Sequence, residues 1–253
     1  MAASVNHWPD SACARVFWGQ HELRPYQQLL ADTAAWLDPK AGQHWLDLGC
    51  GCGRLTEILW LKSRGAVAEI VGLDCAAVNA RAFDRLRQRT RPRPRADQVR
   101  FIQGDFSIGL TSWPAAHFDG VVSGLAIQYA ERFSEREGRW TTEAYDRLLR
   151  EIRRVLRPGG AFVFSVNVPD PAWVKVALRS LPGLLRRGKI GRRLMDAWRL
   201  YRYGRWLTRE SRRGRFHYLP IERIVAKLTL AGFAGIEHRR TYEDQAYLVR
   251  CRK

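Results

Sequence analysis

The residues best suited to do chemistry stand where a short apolar run, HWLDLG, passes into closely spaced glycines. Gly49, Gly51 and Gly53 occupy every second position and lead into LTEILWLKSRG, which has the pattern of a helix. Glycines at a strand-to-helix turn allow a tight bend and bring backbone N–H groups close to a ligand at the helix N-terminus. Dinucleotide-binding loops share this feature, but their GxGxxG spacing would place the third glycine at residue 54, which is Arg54. The GxGxG spacing therefore separates this loop from the dinucleotide motif.

Acidic residues end the next two apolar runs along the chain. Asp74 ends AEIVGLD, 25 residues after Gly49, where a carboxylate can accept both hydroxyls of a ribose. Asp105 and Phe106 end VRFIQGDF and offer an acceptor for an adenine amine beside an aromatic wall. Either acid could instead cap the helix that follows its strand. Taken with the glycine loop, they predict a nucleoside site at the carboxyl edge of a parallel sheet.

The elements that must position these residues alternate regularly. Five apolar runs read as strands, and amphipathic helices separate them, which is the pattern of a parallel sheet with helices on its faces. After Asn167 this alternation stops, and it resumes only at LPIERIVAKLTLAGF. The interruption is too long for a simple loop, so we predict a helical cap inserted after strand five. GIEHRRTY and QAYLVRC then predict a terminal β-hairpin.

The ordered set of motifs resembles the class I S-adenosylmethionine-dependent methyltransferases, in particular the small-molecule branch related to quinone and biotin-pathway methyltransferases. LDLGCGCGRLT is similar to the first motif of that family, VGLDCA to the second and QGDF to the adenine motif. FDGVVSGLAIQYA and LLREIRRVLRPGGAFVFSV resemble the later pair. The resemblance covers residues 44–168 and 218–251. It implies an α/β, Rossmann-like fold: a seven-stranded sheet with an antiparallel last strand and helices on both faces.

The resemblance also implies a cofactor site for S-adenosylmethionine. Asp47 and the glycine loop would contact the methionine part, Asp74 would hold the ribose, and Asp105 with Phe106 would flank the adenine. The expected cofactor-binding residues are Asp47, Gly49, Cys50, Gly51, Gly53, Asp74, Cys75, Asp105, Phe106 and Ser123. Asn167 and Asp170 follow strand five as expected neighbours of the substrate. Tyr129 and His217 are the candidates for polarising a methyl acceptor, and a surface or hydrogen-bonded histidine is the alternative for His217.

Three parts of the chain are expected on this basis: an N-terminal helical lid at 1–40, a cofactor-binding core at 41–168 and 218–253, and a basic helical cap at 169–217. The lid holds large aromatic residues that could exclude water from the site, namely Trp8, Phe17, Trp18 and Tyr26. Residues 175–215 contain 14 Lys and Arg against 2 Asp and Glu, or +12 of the net +18. This charge among aromatic residues suits an anionic or amphipathic acceptor, or the surface of an anionic membrane. A solvated face is the alternative.

The expected function is methyl transfer to a small-molecule O-, N- or C-nucleophile. An RNA methyltransferase that follows phosphates with the basic cap and the RPRPR connector is one alternative. Nucleic acid is less favoured as a partner, because strand four is not followed by the Asn/Asp-Pro-Pro-Tyr/Phe tetrad of base amino-group methylation, and no Pro-Cys nucleophile is found. A non-catalytic binding protein of the same fold is the other alternative. The oligomeric state is left open.

Further observations bear on metals and on the compartment. The five cysteines form no CxxC pair and have no histidines at zinc spacing. We therefore expect reduced thiols and no metal. No run approaches the roughly 20 apolar residues of a spanning helix. The first residues also lack the basic start and apolar core of a secretory signal, so a cytoplasmic protein is expected.

Overall fold

The structure is a computed structural model that describes Trp8, residues 23–185 and residues 190–253; at 181–185, 190–197 and 199–200 it describes the backbone alone. The strands are β1 His44–Leu48, β2 Glu69–Asp74, β3 Val99–Gln103, β4 Phe118–Gly124, β5 Arg132–Ser134, β6 Arg139–Thr141, β7 Leu156–Asn167, β8 Ala234–Thr241 and β9 Ala246–Arg252. The helices are α1 Arg24–Trp36, α2 Arg54–Lys62, α3 Asn79–Arg89, α4 Glu143–Val155, α5 Trp173–Leu185, α6 Ile190–Arg212 and α7 Ile221–Leu230.

One seven-stranded sheet runs through the described chain in the order β3-β2-β1-β4-β7-β9-β8. The first five of these strands are parallel to one another, and β9 pairs antiparallel with both β7 and β8. The predicted Rossmann-like sheet with an antiparallel last strand is therefore confirmed. All the parallel strands point their carboxyl ends to the same edge, so the residues that follow β1, β2, β3, β4 and β7 are brought together there.

The core lies on both faces of this sheet because alternate residues of each central strand point to opposite sides. In β7, Phe162 and Phe164 pack with residues of α4 and α7, whereas Val163 between them packs on the other face. That other face carries α2 and α3, whose Trp60 and Phe83 are almost wholly buried. Strands covered on both sides read as continuous apolar runs, which is why their pattern could be recognised in the sequence.

Two features depart from the sequence-based expectations. The short antiparallel hairpin of β5 and β6, which turns at Gly138, was not predicted. It has only three residues in each strand, too few for a period of two to stand out. Strand β7 also begins earlier than predicted, at Leu156, and includes the Pro-Gly-Gly that was expected to separate it from the preceding helix.

The segments before β1 and between β7 and α7 contribute further helices. The interruption at 169–217 holds α5 and α6, and the N-terminal segment contributes α1. Phe17 and Trp18 of the expected lid lie outside the described residues. The division of the chain into lid, core and cap stays a prediction. None of the described helices is both long enough and apolar enough to cross a membrane.

Candidate active site

A cavity lies at the carboxyl edge of the parallel strands, under α5 and α6. The residues that line it are Trp8, Tyr26, Asp47, Gly49, Cys50, Gly51, Cys52, Arg54, Leu55, Asp74, Cys75, Ala76, Asn79, Asp105, Phe106, Ser107, Gly124, Leu125, Ala126, Tyr129, Asn167, Trp173, Tyr203, Gly204, Leu207 and Tyr242. The residues after β1, β2 and β3 make one half of it polar. Aromatic and aliphatic side chains of the helices make the other half largely apolar.

The glycine loop forms the floor of the polar half. Gly49 and Gly51 both have positive φ, and the N–H groups of Gly49 and Cys50 donate to the Leu73 carbonyl at 2.8 and 3.2 Å. A Cβ on Gly49 would lie 2.2 Å from the Cβ of Ala126 in the loop after β4, whereas a Cβ on Gly51 would meet nothing within 4 Å. The loop is thus packed closely on one side and leaves open space on the other, where a ligand could approach the backbone.

Asp74 fixes the open side of that loop. Its Oδ2 accepts a hydrogen bond from the Gly51 N–H at 2.9 Å, and its Oδ1 accepts one from the Ala76 N–H at 2.9 Å. Burial raises the pKa of this carboxyl above its usual range, although these backbone donors oppose the rise. The Asn79 side chain also donates a hydrogen bond to this carboxyl. Since a carboxylate can accept about four hydrogen bonds, Asp74 can hold the loop and still receive a hydroxyl group.

Asp47 lies deeper and is only 1% exposed. Its Oδ2 accepts hydrogen bonds from the Thr56 N–H at 3.0 Å and from the Thr56 Oγ1 at 2.7 Å. Its Oδ1 has no hydrogen-bond partner among the described residues. Burial raises the pKa of this carboxyl to about 7. A buried acidic oxygen without a partner in a cavity wall fits a positively charged group of a ligand.

Asp105 and Phe106 complete the polar half. The Asp105 Oδ1 accepts from the Ser107 N–H at 2.8 Å, so this carboxylate caps the short 3₁₀ turn Phe106–Ile108. The Phe106 ring lies beside Gly49: a Cβ added to Gly49 would be 3.4 Å from the Cε1 of Phe106. The capping role that the sequence allowed for both acids is thus present for Asp105, whereas α3 begins after Val78 without a side-chain cap. Both acids line the cavity.

Cys50 and Cys75 also line the polar half, and both are free thiols. Burial raises the pKa of Cys75 to about 12, so its thiol stays protonated at neutral pH. Among the described residues, no group of three or more His, Cys, Asp or Glu side chains could hold a metal ion.

Two expected cofactor-binding residues do not line the cavity. Gly53 begins α2 with a positive φ, and a Cβ there would lie 2.7 Å from Leu86 Cδ1, so this glycine permits the packing of α2 on α3. Ser123 is fully buried in β4, where its Oγ donates to the Leu48 carbonyl at 2.8 Å and ties β4 to β1. Both residues therefore stabilise the elements that carry the cavity wall and do not line the cavity themselves.

Of the two candidates for polarising an acceptor, His217 lies apart from the cavity. It is buried, its backbone N–H donates to Gln128, and its Nε2 pairs with the Ala130 carbonyl at 2.8 Å. Burial lowers the pKa of His217 to about 4, so the ring is neutral at pH 7. The assignment of His217 as an acceptor-polarising residue is corrected: it is the buried, hydrogen-bonded histidine that stood as the alternative.

Tyr129 does line the cavity, at its apolar half. Its hydroxyl lies 2.9 Å from that of Tyr218, and the Trp8 ring packs on it with centroids 4.3 Å apart. Burial raises the pKa of Tyr129 to about 12. The phenol therefore stays protonated at neutral pH, where it can take part in hydrogen bonds but cannot serve as a base.

The sequence did not single out most of the apolar half. Tyr203, Gly204 and Leu207 of α6 face the cavity, together with Trp173 at the start of α5. Gly204 could have been noticed in the sequence, because a glycine inside a helix often marks a place where another element packs closely against the helix. A Cβ there would lie 2.5 Å from the Trp173 ring, whose Nε1 donates to Thr208 at 2.8 Å. This glycine lets the two cap helices pack closely over the site.

Comparison with known proteins finds similarity in the central part of the chain. Residues 46–164 match the family described as "Methyltransferase domain". A malonyl-[acyl-carrier protein] O-methyltransferase of Paenibacillus sp. (strain JDR-2) is 28% identical over 125 residues, which is 49% of this chain and 39% of that protein. The ribosomal RNA small subunit methyltransferase C of Chromohalobacter salexigens is 35% identical over 155 residues, which is 60% of this chain and 40% of that protein. The chain thus spans about two fifths of the length of these curated relatives.

Solved structures share the fold at low sequence identity. An S-adenosylmethionine-dependent methyltransferase from Mesorhizobium loti is 19% identical with a TM-score of 0.52, over 88% of this chain and 96% of that one. A methyltransferase from Haloferax volcanii, solved in complex with the Trm112 methyltransferase activator, is 18% identical with a TM-score of 0.61, over 98% of this chain and 97% of that one.

Proposed function

We propose that this chain, whose residues 46–164 match the family described as "Methyltransferase domain", is a class I S-adenosylmethionine-dependent methyltransferase that transfers the methyl group of its cofactor to a small-molecule O-, N- or C-nucleophile. The observation that carries the proposal is the division of one cavity into a polar half at the sheet edge and an apolar half under the cap helices. The first half has the groups that the cofactor needs. The second is suited to a compact organic acceptor.

The residues of the polar half fit S-adenosylmethionine group by group. The unpaired Oδ1 of Asp47 suits the ammonium of the methionine part, and the carboxylate of Asp74 suits a ribose hydroxyl. Asp105 and Phe106 would flank the adenine. When bound, the cofactor supplies a methyl group already activated on a sulfonium. The residues of this chain then have to hold the acceptor in line, exclude water and leave room for the departing proton.

The apolar half favours a small acceptor over RNA. Trp173, Tyr203 and Leu207 cover it from the cap side, and Tyr129 forms its inner wall. The RPRPR connector precedes β3, so it lies at the amino edge of the sheet, opposite the cavity. An RNA strand whose phosphates bound those arginines would run along the edge of the sheet opposite the cavity. One of the two basic segments that favoured an RNA acceptor therefore lies away from the cavity.

A binding and transfer experiment tests this proposal. Calorimetry with S-adenosylmethionine should give one binding site per chain, and the labelled cofactor should transfer its methyl group to a compound in a metabolite pool. Absence of binding would contradict the cofactor assignment. Binding without transfer to any pool would favour the non-catalytic alternative, and transfer to an RNA pool alone would favour the RNA alternative.

We also propose that the outer face of the cap helices rests on an anionic membrane, from which an amphipathic acceptor would enter the cavity. Val174 and Leu178 are exposed one helical turn apart on α5, and Trp198 is exposed on α6. The guanidinium of Arg202 lies 4.6 Å from the centroid of the Trp198 ring. Exposed apolar side chains among an excess of arginine suit a bilayer surface that is both apolar and negatively charged.

A further inference from the structure

Asn167, the last residue of β7, has an unpaired polar atom in its side chain. It lines the cavity wall and is only 2% exposed. Its Oδ1 has no hydrogen-bond partner among the described residues. Buried polar side-chain atoms are nearly always paired, since an unpaired one loses its hydration without compensation. A ligand that donates a hydrogen bond in the cavity would remove this cost.

The surroundings of Asn167 keep its amide in place. Its backbone N–H donates to the Oε1 of Gln128 at 2.6 Å, and Gln128 is fully buried. A hydrogen bond from the Asn167 side chain to Tyr129 and Tyr218 lowers the pKa of both phenols, although burial raises them by more. Only the amide nitrogen can donate such a bond. The amide nitrogen can serve these phenols, and the oxygen stays without a partner among the described residues.

The place of Asn167 in the sheet puts this oxygen on the acceptor side. β7 follows β4 in the sheet order, and β4 lies between it and β1, which carries the glycine loop. The acids Asp47, Asp74 and Asp105 follow or belong to β1, β2 and β3, on the cofactor side. Asn167 therefore lies on the side of the cavity that Tyr129 lines.

We infer that Asn167 Oδ1 accepts a hydrogen bond from the hydroxyl or amine that is methylated, so that Asn167 is a positioning residue for the nucleophile. The inference rests on the proposed function and narrows it to an aromatic or aliphatic molecule with an O–H or N–H nucleophile. The amide oxygen holds the hydrogen of that group and so turns a lone pair of the nucleophile towards the cofactor side. The acceptor oxygen or nitrogen forms its bond to the methyl carbon while the carbon–sulfur bond breaks. The electron pair of that bond goes to sulfur, and the proton of the nucleophile leaves to solvent.

A pair of probe compounds tests the inference without knowledge of the native acceptor. 1-Naphthol and naphthalene match the aromatic walls and differ by one hydroxyl. With the protein saturated with S-adenosylhomocysteine, we expect 1-naphthol to bind at least about tenfold more tightly than naphthalene, as a hydrogen bond to a buried partner allows. Asn167→Leu should abolish this preference by weakening only the naphthol, and Asn167→Ser, which keeps an oxygen, should restore part of it.

Separate readouts keep this test distinct from that of the proposed function. Gln88→Leu makes the same change of an amide to an alkyl group on the exposed surface of α3 and serves as the control. Affinity for S-adenosylhomocysteine should be equal in all four proteins. Loss of that affinity in the unaltered protein would overturn the proposed function itself. An unaltered protein that binds both probes equally, or an Asn167→Leu variant that keeps the preference, would overturn the inference about Asn167.

Discussion

The carboxyl of Asp47 is buried in the cavity wall, where its ionised form is poorly solvated. Its pKa rises by burial from 3.8 to about 7. A carboxyl with a raised folded-state pKa adds stability that is fully present below about pH 4 and is lost as the pH rises through about 7. Asp47→Asn keeps an oxygen for both Thr56 donors but cannot ionise. We therefore expect the ligand-free variant to exceed the unaltered protein in free energy of unfolding, by an amount that grows to about 1–4 kcal/mol between about pH 5 and pH 8. Urea denaturation across this range measures it.

The same carboxyl should couple cofactor affinity to pH. A bound cation favours the ionised form of Asp47, so affinity for S-adenosylmethionine should rise through about pH 7 in the unaltered protein. The Asp47→Asn variant serves as the control, because it retains every other titrating group. Equal pH profiles in the two proteins would contradict the placement of the ligand cation beside Asp47.

Asp74 offers a second test at the scale of one residue. Asp74→Ala removes the proposed acceptor for the ribose and also releases the N–H groups of Gly51 and Ala76. We expect binding of S-adenosylmethionine to weaken by about 1.5–3 kcal/mol, the range for hydrogen bonds to charged groups. Asp84→Ala, on the exposed side of α3, is the matched control. Calorimetry decides the matter, and unchanged affinity in a folded Asp74→Ala variant would refute the ribose assignment.

At the scale of elements, a buried ion cluster fastens the end of α6 to the sheet edge. Arg215 pairs with Glu131 in the loop after Tyr129, and its Nη1 lies 3.5 Å from the Oε2 of Glu210 on α6. The Arg215 guanidinium also stacks on the Trp140 ring at 4.9 Å. Since the arginine side chain is only 12% exposed, Arg215→Met would leave two buried carboxylates without this counter-charge. Such losses cost about 3–5 kcal/mol.

Arg213 provides the comparison for this prediction. It pairs with the same Glu210 at 2.9 Å, but its side chain is 64% exposed. Exposed pairs contribute at most about 1 kcal/mol, so thermal unfolding of Arg213→Met should stay close to that of the unaltered protein. Equal losses in the two variants would show that burial of Arg215 is not what stabilises the junction.

Gly204 tests the packing of one cap helix on the other. Alanine is the better helix former by about 1 kcal/mol, so Gly204→Ala would stabilise α6 if nothing opposed it. The added Cβ would lie 2.5 Å from the Trp173 ring, and overpacking of this kind costs about 1–3 kcal/mol. We expect lower thermal stability and slower methyl transfer, with affinity for S-adenosylmethionine retained. Arg205→Ala on the exposed side of the same helix is the control, and a Gly204→Ala variant as active as this control would contradict the close-packing argument.

The orientation of α6 could not be predicted from its pattern. Leu194, Trp198 and Tyr201 are apolar residues at helical spacing, which indicates a helix but does not decide which side of it is buried. In the structure Trp198 is exposed, whereas Tyr203 and Leu207 face the cavity. Aromatic and aliphatic residues occur around much of this helix, so more than one apolar stripe competes. The choice is made by Trp173 and the aromatic cluster around Tyr129, which are distant in sequence.

Across the whole molecule, the parts of the site that could be predicted are those built from residues close together in sequence. The polar half is built from residues within or just after single strands, so Asp47, Asp74 and Asp105 could be located from the motifs alone. The apolar half is assembled from α1, α5, α6 and the end of β7, and their approach depends on long-range packing. His217 illustrates the limit: its position near the end of the cap placed it close to the site in sequence, but its hydrogen bond to Ala130 turns it into the core.

Charge at the whole-molecule scale is concentrated in the cap, where residues 175–215 carry +12 of the net +18. Part of it is neutralised locally, because Lys175 pairs with Asp244 at 3.3 Å. The exposed Leu178 and Trp198 remain beside the other arginines. We expect the protein to float with vesicles containing phosphatidylserine at low salt and to remain in the bottom fraction when the vesicles contain only phosphatidylcholine. Flotation should weaken severalfold in Leu178→Glu, which replaces an apolar contact with a repelled charge.

The control for membrane binding is Leu230→Glu, which introduces the same charge at the end of α7. Leu230 is 87% exposed and stands just before β8, at the amino edge of the sheet and away from the cap. Because both variants lower the net charge equally, a non-specific electrostatic attraction would respond to both alike. A docking surface on α5 and α6 requires the Leu178→Glu variant to lose flotation while Leu230→Glu keeps it. Equal loss in the two variants, or negligible flotation of the unaltered protein with either vesicle, would refute this surface.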